Sequence, residues 1–143
     1  MLNLWNSSHI AMLATLRRDG SPRVSPIGPY LVLGHLLFGV MRSKKVHDLL
    51  RDPRCTLHSS VCDINGTEGE FKLYGRAVLV EDPQIRDGDY PAWWRSHPPA
   101  ACHVFSMDID SAAFVGWDLD ASQYTVQKWS PDSGVSESKA SYP

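Results

Sequence analysis

One stretch of the chain, Leu36 to Leu57 (LLFGVMRSKKVHDLLRDPRCTL), constrains the fold more than any other. Its apolar opening, Leu36-Leu37-Phe38-Gly39-Val40-Met41, predicts a buried strand that stops at Arg42-Ser43. A short amphipathic helix follows, with Val46, Leu49 and Leu50 at i, i+3 and i+4 and Ser43 placed to cap it. Pro53 ends that helix, because the residue before a proline is pushed out of the helical region. Cys55-Thr56-Leu57 resumes as strand. The charge is unusual. A helix N-terminus carries partial positive charge and favours acidic neighbours, yet Arg42, Lys44 and Lys45 crowd this one. That costs on the order of a few tenths of a kcal/mol per cation unless an anion sits there. Backbone N–H groups, a serine hydroxyl and two or three cations together form a phosphate cradle. The plain alternative is a solvated basic helix start.

The elements around this stretch are short strands. Ile10 to Leu16 is continuously apolar and reads, with His9, as a strand buried on both faces. It is followed by a turn in which Asp19-Gly20 supplies the positive φ of a hairpin. Arg23 to Leu33 is a strand interrupted by Pro26, Gly28 and Pro29. Prolines cannot donate to a ladder, so this is an edge, a bulge or a place where a ligand takes the ladder's position. Gly34-His35 makes the next tight turn. Residues 61–69 form a loop, and Glu70 to Val80 is a strand in which Gly75 marks a bulge or a close backbone approach. Glu81-Asp82-Pro83 opens a helical or irregular stretch. The aromatic patch Ala92-Trp93-Trp94 with His97-Pro98-Pro99 packs over a barrel or interface, or walls a substrate pocket. His103 to Ile109 and Ala112 to Trp117 read as two strands around a turn at Asp108 to Ser111, and Gln123 to Trp129 as the last strand. From Ser130 the chain has the polar make-up of a mobile tail. Short strands with hairpin turns and one firm helix describe a meander closing into a barrel, not a βαβ sheet.

Composition narrows the function. The 143 residues suit one domain (residues 1–130, with 131–143 as the tail), and a net charge of −2 gives no general field for nucleic acid. No apolar run approaches the roughly 20 residues that span a bilayer, so no membrane partner is expected. Three cysteines without CxxC spacing suit a reduced, cytoplasmic setting. Cys55 beside Arg54 is an activated thiol or a small buried hydrophobe. Adjacent Cys102 and His103 point to opposite faces of a strand, and no histidine pair has HxxxH or HExxH spacing; no metal site is expected. No GxSxG turn, Walker loop or GxGxxG occurs.

Phe38-Gly39-x-x-Arg42-Ser43-Lys44-Lys45, followed by Leu49 and Asp52-Pro53-Arg54, resembles the phosphate-binding segment of the FMN-binding split-barrel superfamily, which includes pyridoxamine 5′-phosphate oxidase. The resemblance runs from about Ile10 to Trp129. It implies a mainly β fold, a six- to seven-stranded antiparallel split barrel with one or two short helices. It also implies a homodimer with two flavin sites at the interface, to which Trp117, Tyr124 and Trp129 are candidates to contribute. By the same resemblance Arg23, Val24, Ser25 and Pro26 neighbour the cofactor, as do Phe38, Gly39, Val40, Arg42, Ser43, Lys44 and Lys45. Glu70 falls where relatives set a polar side chain against the ring, although the oxidase proper has an amide there. The chain lacks the C-terminal arginine- and histidine-containing motif and the N-terminal helix of the vitamin B6 oxidases, which argues against that reaction. The short form is similar to the flavin/deazaflavin oxidoreductase branch, whose cofactor is FMN or F-420. Two functions follow from the resemblance. One is an FMN- or F-420-dependent oxidoreductase passing hydride to a small conjugated or aromatic substrate; Tyr30 and Tyr74 are each a proton donor or a strand aromatic in the core or at its edge. The other is a non-catalytic flavin- or haem-binding sensor or storage protein.

Overall fold

The computed structural model describes residues 10–86 and 102–142. The described chain runs β1 (Ala11–Leu16), β2 (Pro22–Ile27), β3 (Pro29–Val32), β4 (His35–Met41), α1 (Lys44–Arg51), β5 (Arg54–Ser59), β6 (Glu70–Leu79), α2 (Pro83–Arg86), β7 (Cys102–Asp118), β8 (Gln123–Ser130) and β9 (Gly134–Ser141). All pairings are antiparallel, in the order β2-β1-β5-β6-β7-β4-β3, with β8 and β9 continuing outward from β7. β3 follows β2 after the single residue Gly28, so the two ends of that order are tied covalently and β2 lies against β4. The sheet therefore curls into a split barrel.

Alternation sets the core. Along β1 the residues Ala11, Leu13 and Thr15 are buried while their neighbours are half-buried, as a period of two requires. Leu13, Phe38, Leu57, Leu73 and Phe105 meet inside, with the rings of Phe38 and Phe105 stacked 5.8 Å apart. Helix α1 covers one end of this interior with Val46 and Leu49. Leu50 is 53% exposed, so the expected third apolar contact is absent, and Asp48 occupies the buried stripe instead.

Three more expectations are corrected. The turn expected at Asp108 to Ser111 is continuous strand: β7 runs 17 residues. Asp110 is the extra residue there, because Tyr74 faces Ser111 while Gly75 faces Ile109. The bulge thus lies opposite Gly75, with the additional residue on the partner strand. A Cβ at Gly75 would fall 2.0 Å from the Asp108 carbonyl oxygen, so the close approach admits only glycine. The expected mobile tail holds β9, paired with β8 over Gln123–Ser130 and exposed along its whole length. Finally, the stretch read as one interrupted strand is two, β2 and β3. The aromatic patch at 92–99 lies outside the described residues.

The hairpin joining β3 to β4 uses a two-residue turn, Leu33-Gly34, in which both residues have positive φ. This primed geometry matches the twist of the strands it joins. Among the described residues no helix is long and apolar enough to cross a membrane.

Candidate functional site

Helix α1 begins where β4 leaves the sheet. Ser43 holds the N-cap position with extended backbone (φ −158°, ψ 168°), yet its side chain makes no capping bond; only its carbonyl accepts, from Val46 N–H at 3.2 Å. The hydroxyl is buried without a hydrogen-bond partner among the described residues. No acidic residue lies in the first turn. Arg42 and Lys44 are exposed and form no ion pair among the described residues. Lys45 folds back across the seam, and its Nζ donates to the Pro26 carbonyl at 3.3 Å. Partial burial pulls its ammonium pKa below the ordinary lysine value. An uncompensated, desolvated cation beside free N–H groups favours any anion that arrives.

One turn further on, the cations share a buried carboxylate. Asp48 is 3% exposed and accepts from Arg23 Nε at 2.6 Å, Thr15 Oγ1 at 3.0 Å and Arg51 Nη2 at 3.2 Å. Arg51 also donates to the Leu16 carbonyl at 2.5 Å. Burial alone raises the Asp48 pKa, but the bonds from Arg23, Thr15 and Arg51 outweigh it and the net shift is downward. Asp48 therefore fixes β2 against α1 and sets where Arg23 points.

Two cavities flank the helix start. One, of about 470 Å³, is lined by Arg17, Arg18, Asp19, Arg23, Lys44, His47, Asp48 and Arg51. The other, of about 540 Å³, is lined by Arg42, Ser43, Lys44, Val46, His47 and His103. Lys44 and His47 border both.

Several of the residues named from the sequence gather here. Arg42, Ser43, Lys44 and Lys45 form the helix start, Pro26 meets it through Lys45, and Arg23 reaches it through Asp48. Val24, on the same strand, is 59% exposed, while the Ser25 hydroxyl is buried without a partner among the described residues. Phe38, Gly39 and Val40 are buried, and β4 pairs there with β7, and at Phe38 with β3 as well. Glu70 stands apart. It lies on β6, three strand spacings from β2, about 14 Å along the sheet. There it accepts from Lys72 Nζ at 2.8 Å and pairs with His58 Nε2 at 3.1 Å. Lys72, against a smaller effect of burial, holds its carboxyl pKa low, with His58 adding to the shift. Cys55 is buried, and desolvation, aided by Asp110, pushes its thiol pKa up to about 12, the behaviour of a packed hydrophobe. Trp117 packs on Tyr124 at 5.4 Å and on Tyr142 at 5.8 Å, while Trp129 is 38% exposed.

Sequence reasoning missed Asp48 and His103. Asp48 looked like an ordinary polar residue beside His47, and its partners lie 25 and 33 positions away. His103 was weighed only for metal binding, although the register that sets it opposite Val40 brings it to the helix start.

A sequence profile of the pyridoxamine 5′-phosphate oxidase family matches residues 1–116, so the chain belongs to that family and to its split-barrel superfamily. No curated protein matches the sequence. Solved structures share the fold at low identity. An FMN-binding, pyridoxamine 5′-phosphate oxidase-related protein from Nostoc punctiforme PCC 73102 aligns with TM-score 0.69 and 12% identity, over 99% of this chain and 94% of that one. PhzG from Burkholderia lata 383, solved with tetrahydrophenazine-1-carboxylic acid, gives TM-score 0.72 and 13% identity over 99% and 88%. A heme-binding protein from Mycobacterium smegmatis gives 0.68 and 14% over 97% and 85%.

Proposed function

We infer that this protein binds FMN, or the deazaflavin F-420, by its phosphate at the start of α1, and that it is an oxidoreductase reducing a small conjugated or aromatic substrate. The observation that carries the reading is the treatment of charge at that helix: Arg42, Lys44 and Lys45 flank Ser43, whose buried hydroxyl has no partner among the described residues, with no carboxylate in the first turn. Such a set suits a phosphate dianion, each charge-assisted bond contributing about 1.5–3 kcal/mol. The residues present therefore fit the phosphoryl end of the cofactor. The ring, when bound, supplies two-electron chemistry. The chain's part is to hold it: Lys45 and Pro26 tie the cradle to β2, and Asp48 keeps Arg23 beside it. Family membership and the FMN-binding neighbour agree with this reading. A homodimer working in the cytoplasm, with Glu70 near the ring and Trp117, Tyr124 and Trp129 meeting the partner's cofactor, completes the proposal.

A second reading, a haem- or flavin-holding protein without turnover, draws on one observation: His103 shares a cavity with Arg42 and Lys44, a nitrogen ligand beside two cations suited to carboxylates. A haem carboxylate carries one charge, whereas three cations at a helix start with no acidic residue in its first turn suit a dianion, so the phosphate reading is preferred. The test is the absorption spectrum of the purified protein, followed by steady-state turnover of reduced cofactor with a panel of quinones and enones. A flavin or deazaflavin spectrum with acceptor reduction is expected. A Soret band, or bound flavin that reduces no acceptor, favours the second reading.

A further inference from the structure

The cavity on the β7 side of the helix start contains a group that neither the fold nor the cradle accounts for. His103 pairs in register with Val40 on β4, three residues before Ser43, so the strand delivers its imidazole to the place where α1 begins. The ring lies nearly parallel to Phe105, centroids 6.4 Å apart, and Phe105 is itself 1% exposed. The imidazole is thus oriented by the core. Its Nδ1 is buried with no hydrogen-bond partner among the described residues, and the Ser43 hydroxyl bordering the same cavity is in the same condition. An unpaired buried polar atom is costly, and two on one cavity define positions that a ligand satisfies.

Both atoms can donate, Ser43 through its hydroxyl and His103 through an Nδ1–H tautomer. Around them stand Arg42 and Lys44, with His47 at the rim. Residues of two different elements, helix and strand, line one volume. An acceptor must offer several oxygens pointing in different directions and more than one negative charge. A phosphomonoester does so; a carboxylate has two coplanar oxygens and a single charge.

We propose that His103 is a phosphate-binding residue of this chain, donating from Nδ1 to the terminal phosphate of the cofactor opposite Ser43. The inference rests on the cofactor reading above and adds to it a contact from β7. It also assigns the end of the cofactor that His103 meets, which is the phosphoryl group and not the ring.

The test compares FMN with riboflavin, which has the same ring and no phosphate. Binding is followed by flavin fluorescence for the unaltered protein, for His103→Phe, which keeps a ring against Phe105, and for His103→Ala. FMN affinity is expected to fall about tenfold in both variants while riboflavin affinity stays unchanged. In the unaltered protein, the Nδ1 nitrogen NMR signal of His103 is expected to move on adding FMN and to stay put on adding riboflavin. This arm does not depend on a variant folding. FMN affinity within twofold of the unaltered protein, an equal loss for both ligands, or an Nδ1 signal indifferent to FMN each overturns the inference. Failure here is separable from failure of the wider reading: neutralising Lys44 and Lys45 then still abolishes FMN binding. If neither change affects FMN, the cofactor reading itself is wrong.

Discussion

The first and second turns of α1 carry comparable charge and treat it in opposite ways. At Asp48 three donors surround one buried carboxylate, and both arginines are held by it. At Arg42 to Lys45, one turn earlier, three cations flank a helix N-terminus that already repels them, and the Ser43 hydroxyl caps nothing. A helix can thus be anchored by a satisfied network and still present an unsatisfied end. The first arrangement serves the fold; the second makes sense only with an anion in place.

That contrast is open to experiment. The largest expected effect is at Asp48. Replacing it with alanine leaves the buried Thr15 hydroxyl and the partly exposed Arg23 and Arg51 without their carboxylate and should cost about 2–3 kcal/mol in urea unfolding. Because its folded pKa is depressed, its stabilisation is complete above about 3.8, the unfolded value, and is lost as pH falls through the lower folded value. The acid limb of the stability curve should flatten in Asp48→Ala. A loss under 1 kcal/mol would mean that the network behaves like exposed surface pairs.

Ser43→Ala sharpens the comparison from the other side. An N-cap serine usually contributes about 0.5–2 kcal/mol. Here the hydroxyl makes no such bond, so thermal unfolding should shift by less than about 0.5 kcal/mol while FMN affinity falls several-fold. A full capping loss without an affinity change would reassign Ser43 to the fold. The smallest effect is at Lys45, whose pKa burial lowers. A bound phosphate favours the charged form, so calorimetry in buffers of different ionisation enthalpy should detect proton uptake on FMN binding at alkaline pH below 10.5. No buffer dependence would place the phosphate away from Lys45.

Much of this was legible in the sequence where local rules speak loudly. Pro26 and Pro29 announced a broken strand, Gly75 a close approach, and Ser43 with Pro53 the limits of α1. Elsewhere local cues misled. Asp108-Ile109-Asp110-Ser111 has turn composition, but a bulge at Asp110 absorbs it within β7. β9 is exposed on both faces, so no apolar alternation marks it, and Gly134 with its positive φ is the main local sign of the hairpin. The i, i+3, i+4 rule chose Leu50 over Asp48 because it assigns burial by hydropathy, whereas Arg23 and Thr15, distant in sequence, are what make a buried carboxylate tolerable. The cationic helix start was visible because it breaks a rule; the contribution of His103 was not, since only strand register brings it there.

The most direct test of the central claim is the FMN dissociation constant of the Lys44→Ala/Lys45→Ala double variant beside its unfolding free energy. Loss of two charge-assisted bonds predicts an affinity drop of at least about 100-fold, with stability unchanged or slightly raised as like charges leave the helix start. An unchanged dissociation constant in a stably folded variant would contradict the account.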